Sequence, residues 1–514
     1  MIDRTLVPFV TGALERLEPT TDRFNPILVK EVRQVLRGKN FVWSFVAMVV
    51  IAAGIGAVFV VNDNASPSPQ LGLSFLGWML GVLSLGLLVM VPLQTFQSLG
   101  SEWEGDNMEQ IALSGLTPRG ITAGKWWAGV LQSLLLVAAF APFVALGFLM
   151  RGVDLVATAF VVAMISTFSV WGSSAALALS SLSKRRVVRG LLFALLGVGL
   201  FMGFVGAMTA TVTLLDEPAT LREPEFLTIT ITFFLIGSGA AAFCHEVASG
   251  RLSHPEENAS TPLRVLTLVA ALGFIVWLGV AAWTGWLPGD AFAFFASALC
   301  VVVGVLGVAW ATERARLGRR VVASLARRGS RTRRLPSLLL PGGGRGFLFG
   351  LATIGGAAVF TVFASGPGDF GLDHRRWFGL WVLCYYAFFV GVPSALLARL
   401  CVREFGVWVT RIAAVVAVAC GILVPAIVGL LIDDTELQFG RHAFNVFWTL
   451  GESLQGGLGR GTAFGVLALG LLGVLVNGPR LVRGLTEVAH ARSGRIVESD
   501  PAVARSREAA ARAS

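Results

Sequence analysis

A lysine preceded by spaced glycines, Gly120-Ile121-Thr122-Ala123-Gly124-Lys125-Trp126, is the first stretch whose residue types could do chemistry. Such a pattern can cradle phosphates on backbone N–H groups with the lysine on the terminal phosphate. Here three residues separate the glycines where a phosphate loop has four, tryptophan stands where Ser or Thr would bind magnesium, and no strand pattern precedes it. ATP hydrolysis by this chain is therefore not expected. His245-Glu246 lacks the second histidine of a zinc protease helix, and the remaining histidines (His254, His374, His442, His490) are scattered. Tyr385 and Tyr386 are adjacent and read as packing residues, and the five cysteines form no CxxC pair and read as small core residues. No catalytic set, metal ligand set or cofactor site is expected. The remaining chemistry is charge. From Glu102 to Lys125 the sequence EWEGDNMEQIALSGLTPRGITAGK begins acidic (Glu102, Glu104, Asp106, Glu109) and ends basic (Arg119, Lys125). That arrangement suits the recognition of a protein partner.

The elements that must position this segment are membrane spans. With 514 residues, 55% hydrophobic and only 14% charged, and a mean hydropathy of +0.74, the chain falls well outside soluble composition, which carries about 25% charged residues. Twelve apolar runs are each long enough for a hydrocarbon core of about 30 Å: 41–61, 71–93, 126–150, 156–182, 191–215, 226–244, 265–287, 291–312, 347–364, 378–399, 409–432 and 462–482. The Thr-rich 226–244 and the short, Gly-rich 347–364 carry the weakest signals. The expected fold is an all-α polytopic membrane protein with about twelve transmembrane helices in two groups of six. With the N-terminus inside, only six of the 41 Lys and Arg residues lie in outer loops (Arg151, Arg222, Arg375, Arg376, Arg441, Arg460). This asymmetry places both termini in the cytoplasm. It also turns the net charge of +10 into a topological signal, with no nucleic-acid partner expected.

The expected organisation is a cytosolic N-terminus over 1–40, a six-span domain over 41–244 containing the polar segment 102–125, and a connector over 245–264. A second six-span bundle follows over 265–482, then a basic tail over 483–514 without fixed structure. Asn25 and Pro26 supply an N-cap and a first-turn proline. In the helix they start, Leu28, Val32, Val35 and Leu36 share one face and Lys30, Arg33, Gln34 and Arg37 the other. A basic amphipathic helix ahead of a span is expected to lie in the membrane interface, in contact with lipid. Within 102–125, Asp106 or Asn107 caps a short expected helix with Met108, Ile111 and Leu113 on one side, Gly115 ends it, and Thr117-Pro118 launches the third span. The basic ERARLGRRVVASLARRG is expected to extend the eighth span, and HAFNVFWTLGESL to form an interfacial or re-entrant helix. No Asp, Glu, Lys, Arg or His lies deep in any of the twelve runs, which argues against an intramembrane ion relay.

Two of these stretches resemble the permease subunit of ABC-2 type transporters. NPILVKEVRQVLRGKNF looks like that family's elbow helix, and EWEGDNMEQIALSGLTPRGITAGKW is similar to its segment between the second and third spans. Glu104, Glu109, Leu116, Thr117, Pro118, Gly124 and Lys125 align with the family pattern, while Asn107 departs from its usual small residue. The likeness is concentrated in residues 24–150, extends to 244 and fades beyond. FNVFWTLGESLQGG looks like an outer helix of such permeases, although it falls in the second group.

The resemblance implies an exporter component of the cytoplasmic (inner) membrane, energised by a separate cytosolic ABC ATPase that binds ATP. A homodimer or a second permease would complete the path. It implies an ATPase-coupling role for Glu104, Met108, Glu109, Ile111, Leu113, Leu116, Pro118, Arg119 and Lys125, the apolar members filling a cleft and the charged ones orienting the segment. It implies an elbow role for Asn25, Pro26, Leu28, Lys30, Val32, Arg33, Val35 and Arg37. Two other classes fit a polytopic chain: a twelve-span secondary transporter, which usually carries buried ionisable groups, and a membrane scaffold that transports nothing.

Overall fold

The computed structural model describes residues 25–65, 69–104, 116–149, 154–254, 256–287, 289–313, 317–327, 330–364, 377–400, 407–431, 443–455 and 458–493. Among them every regular element is helical, without a strand. Eleven helices among the described residues are long and apolar enough to cross a membrane. The two weakest signals, 226–244 and 347–364, lie in two of these helices, Pro224–Leu252 and Gly343–Val362. The stretch expected as span 409–432 is a helix, Val407–Leu431, of which the shorter Val409–Gly421 registers as apolar. The chain divides into two compact units at Ser253 and His254, a point inside the expected connector, although His245–Leu252 continue the preceding helix.

The first unit opens with a short amphipathic helix, α1 (Pro26–Arg37), followed by α2 (Lys39–Ala65). The second span is α3 (Pro69–Leu85), one π turn (Gly86–Met90) and α4 (Val91–Glu104) in sequence. Then come α5 (Pro118–Leu149), α6 (Leu155–Ser181), α7 (Arg186–Asp216) and α8 (Pro224–Leu252). The core forms around α3, whose Phe75, Leu76, Met79, Leu80 and Leu83 are buried at helical spacing against α2, α5 and α7, and Leu87 of the π turn continues the row where that turn packs on α6 and α7. By contrast α7 leaves Leu191, Leu195, Val198, Phe201, Met202 and Val205 exposed. A continuous apolar stripe of that length is untenable in water and ordinary against lipid.

The second unit contains α9 (Ser260–Trp283), α10 (Gly289–Ala311), the amphipathic α11 (Arg319–Ala326) and α12 (Gly343–Ala364). Next are α13 (Phe378–Tyr385), a π turn (Tyr386–Val390), α14 (Gly391–Leu400), α15 (Val407–Leu431), α16 (Val446–Gln455) and α17 (Arg460–Ser493). Two expectations are corrected here. The basic stretch after α10 does not extend that helix: α10 ends at Ala311 and α11 is separate, its N-cap Gly318 in an extended conformation. Between them Glu313 is drawn to Arg264 and to the Gly342 N–H, which requires the chain to leave the helix. The tail expected from 483 is likewise helical through Ser493, because Val488 and Ala491 bury against Val321, Val322 and Leu325 of α11. Residues 494–514 lie outside those described.

The aromatic stretch before the last span forms α16, only 10 residues long and too short to cross. It is held from the side, with Thr449 and Ser453 fully buried and the Tyr385 hydroxyl donating to the Ala443 carbonyl at 2.9 Å.

Candidate functional site

The polar segment 102–125 is flanked by two described ends, and both converge on one buried ion cluster. Asn25 caps α1 by accepting the Ile27 N–H at 3.0 Å, and its amide nitrogen donates to the Gly120 carbonyl at 2.6 Å. One side chain therefore starts the amphipathic helix and ties it to the first turn of α5. That turn is shaped by Thr117, whose hydroxyl oxygen accepts the Gly120 N–H at 3.1 Å, and by Pro118 at the first helical position, where its missing N–H costs no bond. Farther along, α1 crosses α5 at Gly124. A Cβ there would lie 2.7 Å from the Ile27 Cβ and 3.1 Å from the Leu28 backbone nitrogen, so the crossing requires glycine.

At this crossing the Lys125 side chain is fully buried and pairs with two carboxylates, Glu31 of α1 at 2.6 Å and Glu102 of α4 at 3.1 Å. Its ammonium also donates to the Ser98 carbonyl at 3.2 Å. Lys30, half exposed, closes the set by donating to Glu102 at 2.9 Å. The charges alternate along Lys30, Glu102, Lys125 and Glu31 and sum to zero, which is the condition for keeping them out of water. The second carboxylate oxygen of Glu102 is buried without a partner. Three elements are thus fastened at one point: the amphipathic helix, the end of the second span and the start of the third.

The start of α5 is held from the other side by α8. Arg119 pairs with Glu246 at 3.0 Å on the exposed rim, the Trp126 indole donates to Ser174 of α6 at 2.9 Å, and Trp126 meets His245 edge to face. Arg119 is exposed and remains reachable from outside the unit.

The residues expected to couple to an ATPase divide accordingly. Met108, Glu109, Ile111 and Leu113 lie outside the described residues, as does the short helix expected there. Glu104 ends α4, Leu116 is half-buried ahead of α5, and Pro118 and Arg119 open that helix. Lys125 is neutralised inside the unit, where it fastens α1 and α4 to the start of α5.

Among the elbow residues, Asn25 and Pro26 cap the helix as expected, and Lys30 reaches Glu102. Leu28, Val32 and Val35 are half-buried, Arg33 and Arg37 are exposed, and Leu36 is 46% exposed. The face in contact with protein is Ile27 and Glu31, absent from the sequence reading. One signal could have pointed to Glu31: it is the sole acid in PILVKEVRQVLR, and once buried a carboxylate must find a cation.

A second cluster, inside the second unit, was not expected at all. Arg264, fully buried, donates to the Leu338 carbonyl at 2.8 Å and the Leu340 carbonyl at 2.6 Å, and pairs with Glu313 at 2.6 Å. Arg345 pairs with Glu487 at 3.4 Å and donates to the Pro341 and Gly484 carbonyls. Arg480 donates to Ser394 at 2.7 Å and Asn477 at 3.1 Å. The turn between them needs its glycines: Gly342 has φ +140°, and a Cβ on Gly343, Gly344 or Gly346 would collide with backbone of α10 or α17. The arginines bond to carbonyls, carboxylates and a hydroxyl on both sides of this turn and act as struts. Compared with protein-family models, curated proteins and solved structures, the chain matches none.

Proposed function

We propose that this chain is the membrane-spanning permease subunit of an ATP-driven ABC transporter, an exporter component of the cytoplasmic membrane with both termini inside. On this reading it has twelve spans in two groups of six, Val407–Leu431 serving as the eleventh. A separate cytosolic ATPase docks on the segment between the second and third spans.

One observation carries the reading. The two ends of the 105–115 stretch are anchored to the same buried cluster, Glu102 on one side and Lys125 on the other, with Glu31 joining the elbow helix to both. A partner that moves this segment moves three elements together, as coupling of ATP hydrolysis to helix motion requires. The exposed Arg119 and the half-buried Leu116 remain available beside it.

The test is partner capture. The full chain, purified from its native membrane, is expected to bring a nucleotide-binding subunit that is lost on substituting Glu109 and Pro118. Leu113→Asp with Leu116→Asp is expected to abolish stimulation of that partner's ATP hydrolysis while leaving membrane insertion intact. Unchanged stimulation, or transport by the chain alone on a proton gradient, overturns the proposal.

A further inference from the structure

Helices α6, α7 and α8 enclose a groove of about 620 Å³ that plays no part in the ion cluster. Its size lies within the range of about 300–1,000 Å³ typical of small-ligand sites. Phe168, Phe226 and Phe233 form its walls together with Thr209, Thr213 and Thr230. The rings are braced: Phe168 meets Phe233 edge to face at 5.3 Å, and Trp171 backs Phe233 at 5.8 Å and Phe234 at 5.4 Å. The threonines add little polarity, because Thr209 and Thr213 donate to the Val205 and Thr209 carbonyls of their own helix. The wall is therefore apolar and lies on helices whose outer faces suit lipid.

One end of this groove has a different character. Thr213, Thr220 and Phe226 mark where it meets the short link between α7 and α8. That link and the start of α8 carry Glu217, Glu223 and Glu225, all exposed, against a single base, Arg222, whereas Asp216 at the end of α7 lines a separate groove with residues of α3. Asp154, the cap of α6, lies toward the same end, since Phe160, nearly two turns beyond it, meets Phe226 at 5.8 Å. An apolar slot ending in an acidic collar is complementary to one kind of molecule. Its apolar part fills the slot, its positive head faces the carboxylates, and phosphate or sulfonate heads are repelled.

We propose that this groove binds a single-chain cationic amphiphile, a long alkyl tail with an ammonium head, supplied from the membrane. The site stands whether or not an ATPase couples to the chain; its placement on the outer leaflet rests on the orientation given above.

Photolabelling tests it on the full chain in liposomes, with two probes sharing a hexadecyl chain that bears a diazirine, one with a trimethylammonium head and one with a sulfonate. The ammonium probe is expected to label peptides within 206–234 about five- to tenfold more than the sulfonate probe, the size expected of two or three half-screened charges. Replacing Glu217, Glu223 and Glu225 by Gln is expected to bring that ratio near one without lowering labelling by the sulfonate probe. Filling the slot with Thr213→Trp removes labelling there by both probes. If that variant misfolds, Phe233→Ala, which widens the slot, is read instead and lowers both. Equal labelling by the two probes, a preference that survives the triple substitution, or labelling spread evenly over lipid-facing helices each overturns the proposal.

Discussion

Replacing Lys125 by Met isolates the role of the buried cluster. Lys125 lies 2.6 Å from Glu31 and 3.1 Å from Glu102, and Glu31 has no other ion-pair partner among the described residues. At an effective dielectric near 20 these separations correspond to gross attractions of about 6 and about 5 kcal/mol. Glu102 keeps Lys30 at 2.9 Å after the substitution, whereas Glu31 is left as a bare buried carboxylate. Relaxation and water entry return part of that loss, leaving about 3–5 kcal/mol for breaking one partner of a buried pair.

The expected consequence is local, since this point holds α1 to the unit together with the Asn25–Gly120 bond and the packing of Ile27 on Gly124. The docking equilibrium of α1 should shift by about two to four orders of magnitude. Hydrogen–deuterium exchange in detergent or nanodiscs reads this directly, as lost protection over residues 26–37 and 118–125 with the α6 core unchanged. The double variant Glu31→Gln with Lys125→Met removes the stranded charge and is expected to recover most of the protection, because Lys30 and Glu102 still neutralise each other. Wild-type protection in Lys125→Met, or a double variant as open as the single one, refutes this account.

Other substitutions probe close approaches and the second cluster. Gly124→Ala places a methyl 2.7 Å from the Ile27 Cβ and should cost about 1–3 kcal/mol by overpacking, read as loss of the same protection. Ile27→Ala added to it should be less than additive. Gly350→Ala would collide with the Tyr386 hydroxyl, the atom nearest its Cβ, and should lower the unfolding temperature. Tyr386→Phe, alone costing about 1 kcal/mol for its bond to the Gly307 carbonyl, should partly rescue that variant. Arg264→Lys should destabilise nearly as much as Arg264→Met in thermal unfolding, since an ammonium cannot reproduce the guanidinium's simultaneous bonds to two carbonyls and Glu313.

The sequence by itself determined the class, the elements and much of the local chemistry. Apolar runs of span length have a single solution in lipid, a helix that satisfies its own backbone, so the span list follows from composition. The Asn25-Pro26 start and the Thr117-Pro118 start are local capping events, readable because they involve neighbours a few residues apart. Only the tertiary structure decided which charges meet. Lys125 looked like a free end of a basic stretch, yet its partners lie far away in sequence at Glu31 and Glu102. Arg264 with Glu313 and Arg345 with Glu487 are separated in the same way, and no periodicity announces them. The end of α10 and the length of α17 were also misplaced by the sequence, for one reason. Where a helix stops in these loops is set by a distant partner, as Glu313 turning back to Arg264 and Val488 burying on α11 make plain. Hydropathy reports how a residue exchanges with its solvent, whereas a buried ion pair depends on a second residue that only folding brings within reach.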